Sequence, residues 1–307
     1  MKYEVVIGPW RKQLPIAKET YESITLAHNR LLSASFIEES FDIVLNNYFN
    51  FQKVLLSDAA RQMIFMNMDD REFHDTAQTI SVNIINLLSS ARLYLDQTKH
   101  QLSGFFDSKY GLKDKFKLSC ESTYDEQLGY RAMEELRNYA QHRGLPVHSL
   151  LRDSQRYEFH PGKELLLFSS TPMLDLNTLQ IDKKFKRSIL KELIGFGDQV
   201  DLRWLIQEYL ASLGNIHFKL RESLQDILEK SEKTIKEARD KYLSKYNEKE
   251  KVVFLVASDE NGHDEDHLFL NFRSVKRRKY LEAKNRKTNA LLNGCVIGQH
   301  IDTKKDE

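Results

Sequence analysis

The sequence predicts a mainly α protein, with an antiparallel helical bundle first and then an α+β part that carries two β-hairpins and one long helix. Three observations lead there. Hydrophobic residues make up 41% and charged residues 30% of the 307, with only 12 Gly and 5 Pro, too few turn formers for an all-β fold and too many apolar residues for a disordered chain. Apolar residues recur at the three-to-four spacing of a helix over most of the chain. Two stretches rich in strand-forming residues are each folded about a polar turn.

A short strand is expected at Tyr3 to Ile7. Helical stripes follow through Tyr21, Ile24, Leu31 and Leu32, and then through Phe41, Val44, Leu45, Tyr48, Phe51, Leu55 and Leu56. A third runs from about Arg71 to Phe106 with Phe73, Ile80, Ile84, Leu87, Leu88, Tyr94 and Leu95, long enough for about ten turns. After a polar stretch with Gly104 and Gly111, a fourth helix is expected from Tyr124, capped by Ser122 or Thr123 with Glu126 answering from the first turn. Four long helices with short connections are what an antiparallel bundle requires.

The pattern changes after Leu150. Arg156 to His160 and Glu164 to Ser170 flank Pro161-Gly162, a type II turn signal, and read as a hairpin. The helical period returns from Val200 to about Tyr246, with a kink or break expected at Gly214-Asn215. Val252 to Ala257 and His267 to Phe272 then form a second hairpin around an acidic loop. The expected division is 1–150 for the bundle, 151–287 for the α+β region and 288–307 for a loose tail.

A formal net charge of +1 excludes whole-molecule electrostatics as a reason to bind a polyanion, so any such surface must be local. Cys120 and Cys295 match no metal or redox spacing and suit a reducing compartment. No basic segment leading into an apolar run opens the chain, and no stretch has the apolar length of a membrane span. A cytoplasmic location, without a membrane partner, is expected.

The stretch Glu134 to His148, EELRNYAQHRGLPVH, bears on function. Arg137 and His142 lie five positions apart, about 140° around an ideal helix. Gly144, placed for a left-handed C-terminal conformation, and Pro146 are expected to loosen the helix there. His142 then puts an imidazole, which titrates near neutrality, at the negative end of the helix dipole. Arg143 and His148 share the spacing but straddle Gly144 and Pro146, and are set aside.

Arg137-Asn138-Tyr139-Ala140-Gln141-His142 resembles the R-[polar]-x-x-x-H signature of the HEPN superfamily (higher eukaryotes and prokaryotes nucleotide-binding), over roughly Glu19 to Leu150. The resemblance implies an all-α bundle that forms a homodimer with the two motifs meeting, and a metal-independent endoribonuclease as the commonest activity. It also implies a toxin–antitoxin, abortive-infection or CRISPR-associated defence setting, with RNA as substrate and a protein partner or antitoxin. Toxins paired with nucleotidyltransferase antitoxins usually carry a tyrosine two positions after the motif histidine. Gly144 stands there, so regulation by modification of that tyrosine is not expected. A catalytically inactive HEPN-like bundle that binds a protein or nucleotide is the alternative.

For RNA cleavage, His142 is the natural general base or acid for the 2′-hydroxyl, and Arg137 the fork that donates to the phosphate oxygens. Asn138 would bond the phosphate or hold the arginine. The nucleophile belongs to the substrate, so no metal or other cofactor is expected.

Arg273 to Lys287 carries eight basic residues against one acid, with Tyr280 among them. Arg273, Lys276, Arg277, Arg278 and Lys279 either track RNA phosphates or form a solvated basic face. Asn261 to His267 holds five potential metal ligands but lacks a recurring spacing, and reads as a solvated loop. His28 and His74-Asp75 lie in amphipathic helical segments and read as hydrogen-bonded histidines.

Overall fold

Helices dominate the computed structural model, which describes residues 1–7, 12–65, 70–106, 110–246, 253–261, 263–286, 291–292 and 294. Val252, Gly262, Lys287, Cys295 and nearly all of the expected tail lie outside the described residues. Four helices precede residue 150: α1 (Lys18–Phe65), α2 (Asp70–Phe105), α3 (Leu112–Glu126) and α4 (Leu128–His142).

Their division differs from the expectation in two places. The first two stripes are one 48-residue helix, α1. Neither Gly nor Pro interrupts Lys18 to Phe65, and small residues such as Ser33, Ala34 and Ser35 stay buried where the stripes join. Ser122 and Thr123 do not cap a helix. They lie in the last turns of α3, where Ser122 donates to Glu126 Oε1 at 2.7 Å and Thr123 donates back to the Ser119 carbonyl at 2.7 Å. The real break is Gln127, extended at φ −110° and ψ 114°.

Four further helices, α5 (Leu176–Ile181), α6 (Arg187–Ile194), α7 (Leu202–Tyr246) and α8 (Arg273–Lys284), follow, and of the seven strands among the described residues two precede α1 and five follow α4. α7 is unbroken across Gly214-Asn215, so the expected break is absent: Leu213, Ile216 and Leu220 keep the buried stripe continuous. α2 spans 36 residues, about the ten turns expected.

The chain divides into two compact units, each assembled from three stretches of sequence: 1–40, 96–117 and 218–286 in the first, and 41–95, 118–217 and 287–307 in the second. The first unit holds an antiparallel sheet in the order β2-β1-β6-β7, formed by β1 (Lys2–Ile7), β2 (Lys12–Pro15), β6 (Val253–Ser258) and β7 (Asp264–Phe269). The second hairpin is therefore half of a larger sheet, joined edge to edge with the first strand through pairs such as Val5 with Leu255. Its returning strand starts at Asp264, so Asp264 to His267 belong to β7 and not to a loop. Tyr21 donates to Asp266 at 2.8 Å there, and burial followed by that carboxylate pushes its hydroxyl up to about 12. Ile24, Leu31, Leu102, Phe116, Leu224, Ile235 and Tyr242 form this unit's core, with the Glu38 carboxylate gripped by Arg221 at 2.7 and 2.5 Å.

The second unit contains the three-stranded sheet β3-β4-β5, formed by β3 (Ser149–His160), β4 (Lys163–Asp175) and β5 (Gln199–Asp201). The β3–β4 hairpin is longer at its base than expected, and Gly162 at φ 74° takes the left-handed position that a type II turn needs. Phe41, Ile80, Ile84, Leu87, Tyr94, Met133, Leu136 and Tyr209 are fully or almost fully buried. Within that core the buried His217 stacks on Phe41, with ring centroids 4.0 Å apart, and bonds the Tyr94 hydroxyl at 3.0 Å.

Candidate functional site: the Arg137 face of helix α4

α4 starts without a side-chain cap from Gln127, and its Gly129 N–H instead donates to Glu208 Oε2 of α7 at 2.6 Å. A Cβ at Gly129 would sit 2.7 Å from the Glu208 Cβ, so only glycine allows this approach. The far end closes with the Arg143 N–H on the Tyr139 carbonyl at 2.8 Å and the Gly144 N–H on the same oxygen at 3.3 Å. Gly144 is not among the positive-φ glycines. The expectation of a left-handed residue there is corrected: glycine is required because a Cβ would come within 2.5 Å of the Tyr139 hydroxyl oxygen.

The helix does not loosen before His142. At 3.6 residues per turn, Arg137 and His142 of one chain diverge by about 140° and are separated by roughly 7.5 Å along the axis. The structure brings Arg137 together with Asn138, whose Oδ1 accepts from Arg137 Nη1 at 3.3 Å, and leaves His142 apart from both. His142 is exposed and makes no hydrogen bond or ion pair among the described residues. Arg137 is half-buried. Among the described residues its Nε is shielded from solvent and has no acceptor, and no carboxylate pairs with its guanidinium.

The acid nearest in sequence on the same face, Glu134, is engaged elsewhere. Its Oε1 accepts from the buried Tyr209 hydroxyl of α7 at 2.6 Å, and its Oε2 lies 4.0 Å from Arg92 Nη1 of α2. Burial, followed by the Glu134 charge, holds the Tyr209 hydroxyl well above its usual range, while the Arg137 charge works in the opposite direction. Tyr130 packs on Tyr209 at 5.3 Å and is raised for the same two leading reasons, opposed by Arg92. The sequence singles out Arg137, Asn138 and His142 and offers Glu134 as a carboxylate for Arg137, whereas the structure gives Glu134 to Tyr209 and Arg92, neither of which the sequence placed there. The spacing of Tyr130, Glu134 and Arg137 on one face was a readable signal, whereas the arrival of α2 and α7 was not.

No family model, curated protein or solved structure matches this chain.

Arg143 and His148 are both held by the fold. Arg143 pairs with Glu135 at 3.1 Å and Asp182 at 3.0 Å and lies over the Tyr139 ring. His148 Nδ1 accepts the Asp175 N–H at 3.0 Å, and burial pushes its imidazole below the ordinary range, so it is neutral.

Elsewhere in this unit, Val54, Ser57, Asp58, Arg61, Glu72, Asp75, Thr76 and Thr79 line a cleft of about 360 Å³ between α1 and α2. Its buried acid, Asp58, accepts from Arg152 at 2.8 and 3.2 Å, Ser170 at 2.5 Å and Gln62 at 3.1 Å. Burial works to raise its carboxyl, but the hydrogen bonds from Arg152 and Ser170 outweigh it and leave the group below the usual carboxylate range. This cluster fastens the β3–β4 hairpin to the helices.

In the first unit, the basic stretch is helix α8. Arg273 and Lys276 are exposed. Arg277 pairs with Glu39 at 3.3 Å, Lys279 with Glu232 at 2.7 Å, and Arg278, 8% exposed, with Glu232 at 2.7 Å and with Glu282. Among the described residues no three His, Cys, Asp or Glu side chains gather as metal ligands, and no helix is long and apolar enough to cross a membrane. His74 is exposed beside Phe73, and His28 is half-buried with its imidazole pushed down by burial.

Proposed function

We propose that this chain is a HEPN-type endoribonuclease that cuts single-stranded or looped RNA without a metal, in a cytoplasmic toxin or antiphage-defence setting, at a site completed by a second copy of the chain. Arg137 carries the reading. A half-buried guanidinium ordinarily takes a carboxylate partner, yet among the described residues this one holds only Asn138 and keeps a buried Nε–H without an acceptor. Such a group is prepared to donate to phosphate oxygens.

The divergence of Arg137 and His142 on one regular helix argues for two protomers. A two-fold axis near the C-terminal end of α4 supplies Arg137 from one chain and His142 of the partner subunit to the same phosphodiester. Unpaired nucleotides let the 2′-oxygen align with its leaving group. One imidazole takes the 2′-hydroxyl proton as the O2′–P bond forms and the P–O5′ bond breaks. The same imidazole, now imidazolium, returns that proton to O5′. The products are a 2′,3′-cyclic phosphate and a 5′-hydroxyl, and no other reactant is consumed. Arg137 stabilises the charge that grows on the non-bridging oxygens.

One observation favours a second reading: among the described residues no group orients His142, whereas a catalytic base is ordinarily held by a third residue. On that reading the chain is a non-catalytic HEPN-like bundle that binds a protein or nucleotide. Incubation of purified protein with mixed RNA in EDTA separates the two. Cleavage that persists in EDTA and disappears in both Arg137→Ala and His142→Ala supports the enzyme. Cleavage lost on chelation, or unchanged in His142→Ala, rejects it.

A further inference from the structure

We propose that α6 and the segment leading into it form the track along which a single RNA strand reaches His142. Lys183, Lys184, Arg187 and Lys191 hold its phosphates, and Phe196 stacks on a base. The inference rests on the RNA reading argued above, but not on which residue moves the proton.

The placement comes from α4. Arg131, Glu135 and His142 are spaced four and seven residues apart, so they share one face of that helix. α6 packs beside it: Arg131 pairs with Glu192 at 2.7 Å, and the buried Phe185 ring meets Tyr139 edge-on at 6.4 Å. At the C-terminal end, Arg143 pairs with Asp182 at 3.0 Å. His142 and Lys183 are the chain neighbours of those two residues, so the basic segment starts beside the exposed imidazole.

The cations of this segment outnumber its acids. Lys183, Lys184, Lys186, Arg187 and Lys191 stand against Asp182 and Glu192, and both acids are taken by arginines of α4 or its C-terminal end. Lys183, Lys184, Arg187 and Lys191 are exposed and pair with no carboxylate among the described residues. Arg187 gives Nη1 to the Gln180 carbonyl at 3.0 Å, and Lys186 donates to the Tyr124 hydroxyl at 2.9 Å. α8 differs, because Arg277, Arg278 and Lys279 are each bound to glutamates.

A second observation, independent of charge, selects an unpaired strand. Ile189, Leu190 and Leu193 bury one side of α6, which leaves Arg187, Lys191 and Ile194, four and three residues apart, on the other. Phe196 follows them, 59% exposed, with its ring 4.9 Å from that of Trp204. An outward aromatic ring backed by a second one, at the end of a row of cations, is a stacking platform for a base. Bases already stacked within a duplex do not reach it.

The test uses the full chain carrying His142→Ala, titrated into a fluorescein-labelled single-stranded RNA of about 20 nucleotides and followed by anisotropy from about 50 to 200 mM KCl. Lys183→Gln, Lys184→Gln and Arg187→Gln combined are expected to weaken binding about thirtyfold or more. They should also flatten the plot of log affinity against log salt by about 2, at about 0.7 for each lost phosphate contact. Phe196→Ala is expected to weaken binding about tenfold with the slope unchanged, since a stacked base releases no counterion, and Phe196→Tyr to keep the parent affinity. Arg273→Gln with Lys276→Gln, two exposed cations of α8, is the control expected to stay within about twofold. A triple variant within about twofold of its parent, or an α8 control weakened as much as the triple, overturns the track. So does a Phe196→Ala chain that binds like its parent. If light scattering shows that the variants instead dissociate a dimer, the surface is a contact between copies and the proposal fails. The ribonuclease reading is judged separately. A wild-type chain that cuts no RNA in EDTA, beside a triple variant of reduced affinity, keeps the track and rejects the enzyme. Cleavage in EDTA with an unchanged KM in the triple variant keeps the enzyme and rejects the track. A parent and a wild type that bind no RNA overturn both.

Discussion

Asp58 provides a quantitative test of how the second unit is held together. Its carboxylate is 2% exposed and accepts four hydrogen bonds from three residues, two of which are Arg152 and Ser170 of the β3–β4 hairpin. Asp58→Ala leaves the Arg152 guanidinium, itself 16% exposed, without its counter-charge. Breaking a buried pair in this way costs about 3–5 kcal/mol. Arg152 still donates to Thr76 Oγ1 at 3.3 Å and lies over the Phe73 ring, which favours the lower end, ~3 kcal/mol. Ser170, also buried, loses its acceptor, adding about 1 kcal/mol. The expected total is about 4 kcal/mol, read as a loss in urea unfolding at pH 7. The sign of the pH dependence follows from the depressed carboxyl. The contribution is full above the unfolded pKa of about 3.9 and is lost as pH falls through the lower folded value, so the gap between wild type and Asp58→Ala narrows in acid. Asp58→Leu combined with Arg152→Met should recover most of the loss, because an apolar pair leaves no orphaned charge. A change under about 1 kcal/mol in Asp58→Ala would refute the view that this pair secures the hairpin.

Gly144→Ala should destabilise the protein by about 1–3 kcal/mol in the same assay, and Tyr139→Phe should relieve part of it by removing the oxygen that the new Cβ meets. His148 is neutral when folded, with its imidazole pushed below the unfolded value of about 6.5, so stability should fall as pH drops through that value towards the lower folded one. His148→Gln should reduce that slope to the part that the half-buried imidazole of His28 contributes, which unfolding at pH values on either side of it will show. In the shared-site arrangement, Arg137→Ala and His142→Ala chains mixed and re-associated should regain about a quarter of wild-type cleavage, since half of the dimers are mixed and each restores one of two sites. If mixing restores nothing although light scattering shows mixed dimers, residues are not exchanged across the axis.

Much of this fold was legible because its signals are local. Of the stripe through Phe41, Val44, Leu45, Tyr48, Phe51, Leu55 and Leu56, all are buried except Leu45, which is half-buried, and Leu56, which is exposed at the stripe's edge, and Pro161-Gly162 turns where its sequence says. The errors arose where one local pattern serves two purposes. Ser122 and Glu126 have the chemistry of a helix start, yet the same side chains meet just as well one turn apart inside a helix. Gly144 after a helix suggests a left-handed residue, but the Tyr139 ring decided the glycine. In the site, Arg137 was visible as a motif residue, but its lack of a carboxylate was not: that depends on Tyr209, 75 positions from Glu134, and on Arg92 arriving from another helix. No periodicity encodes such meetings.

The pairing of β1 with β6 also sets a schedule for synthesis. Ile7 finds Val253 and Lys2 finds Ser258, so the strand made first waits for about 250 further residues before its partner exists. At ribosomal rates of roughly 5–20 residues per second that delay is about 12–50 s. Through that interval the β1–β2 ribbon is a two-stranded piece, marginal by itself, with one hydrogen-bonding edge unfilled and Val5 and Val6 still to be buried. The first unit therefore completes its sheet only once β6 has been made, and mutations that slow elongation between β1 and β6 lengthen the exposure of this one edge.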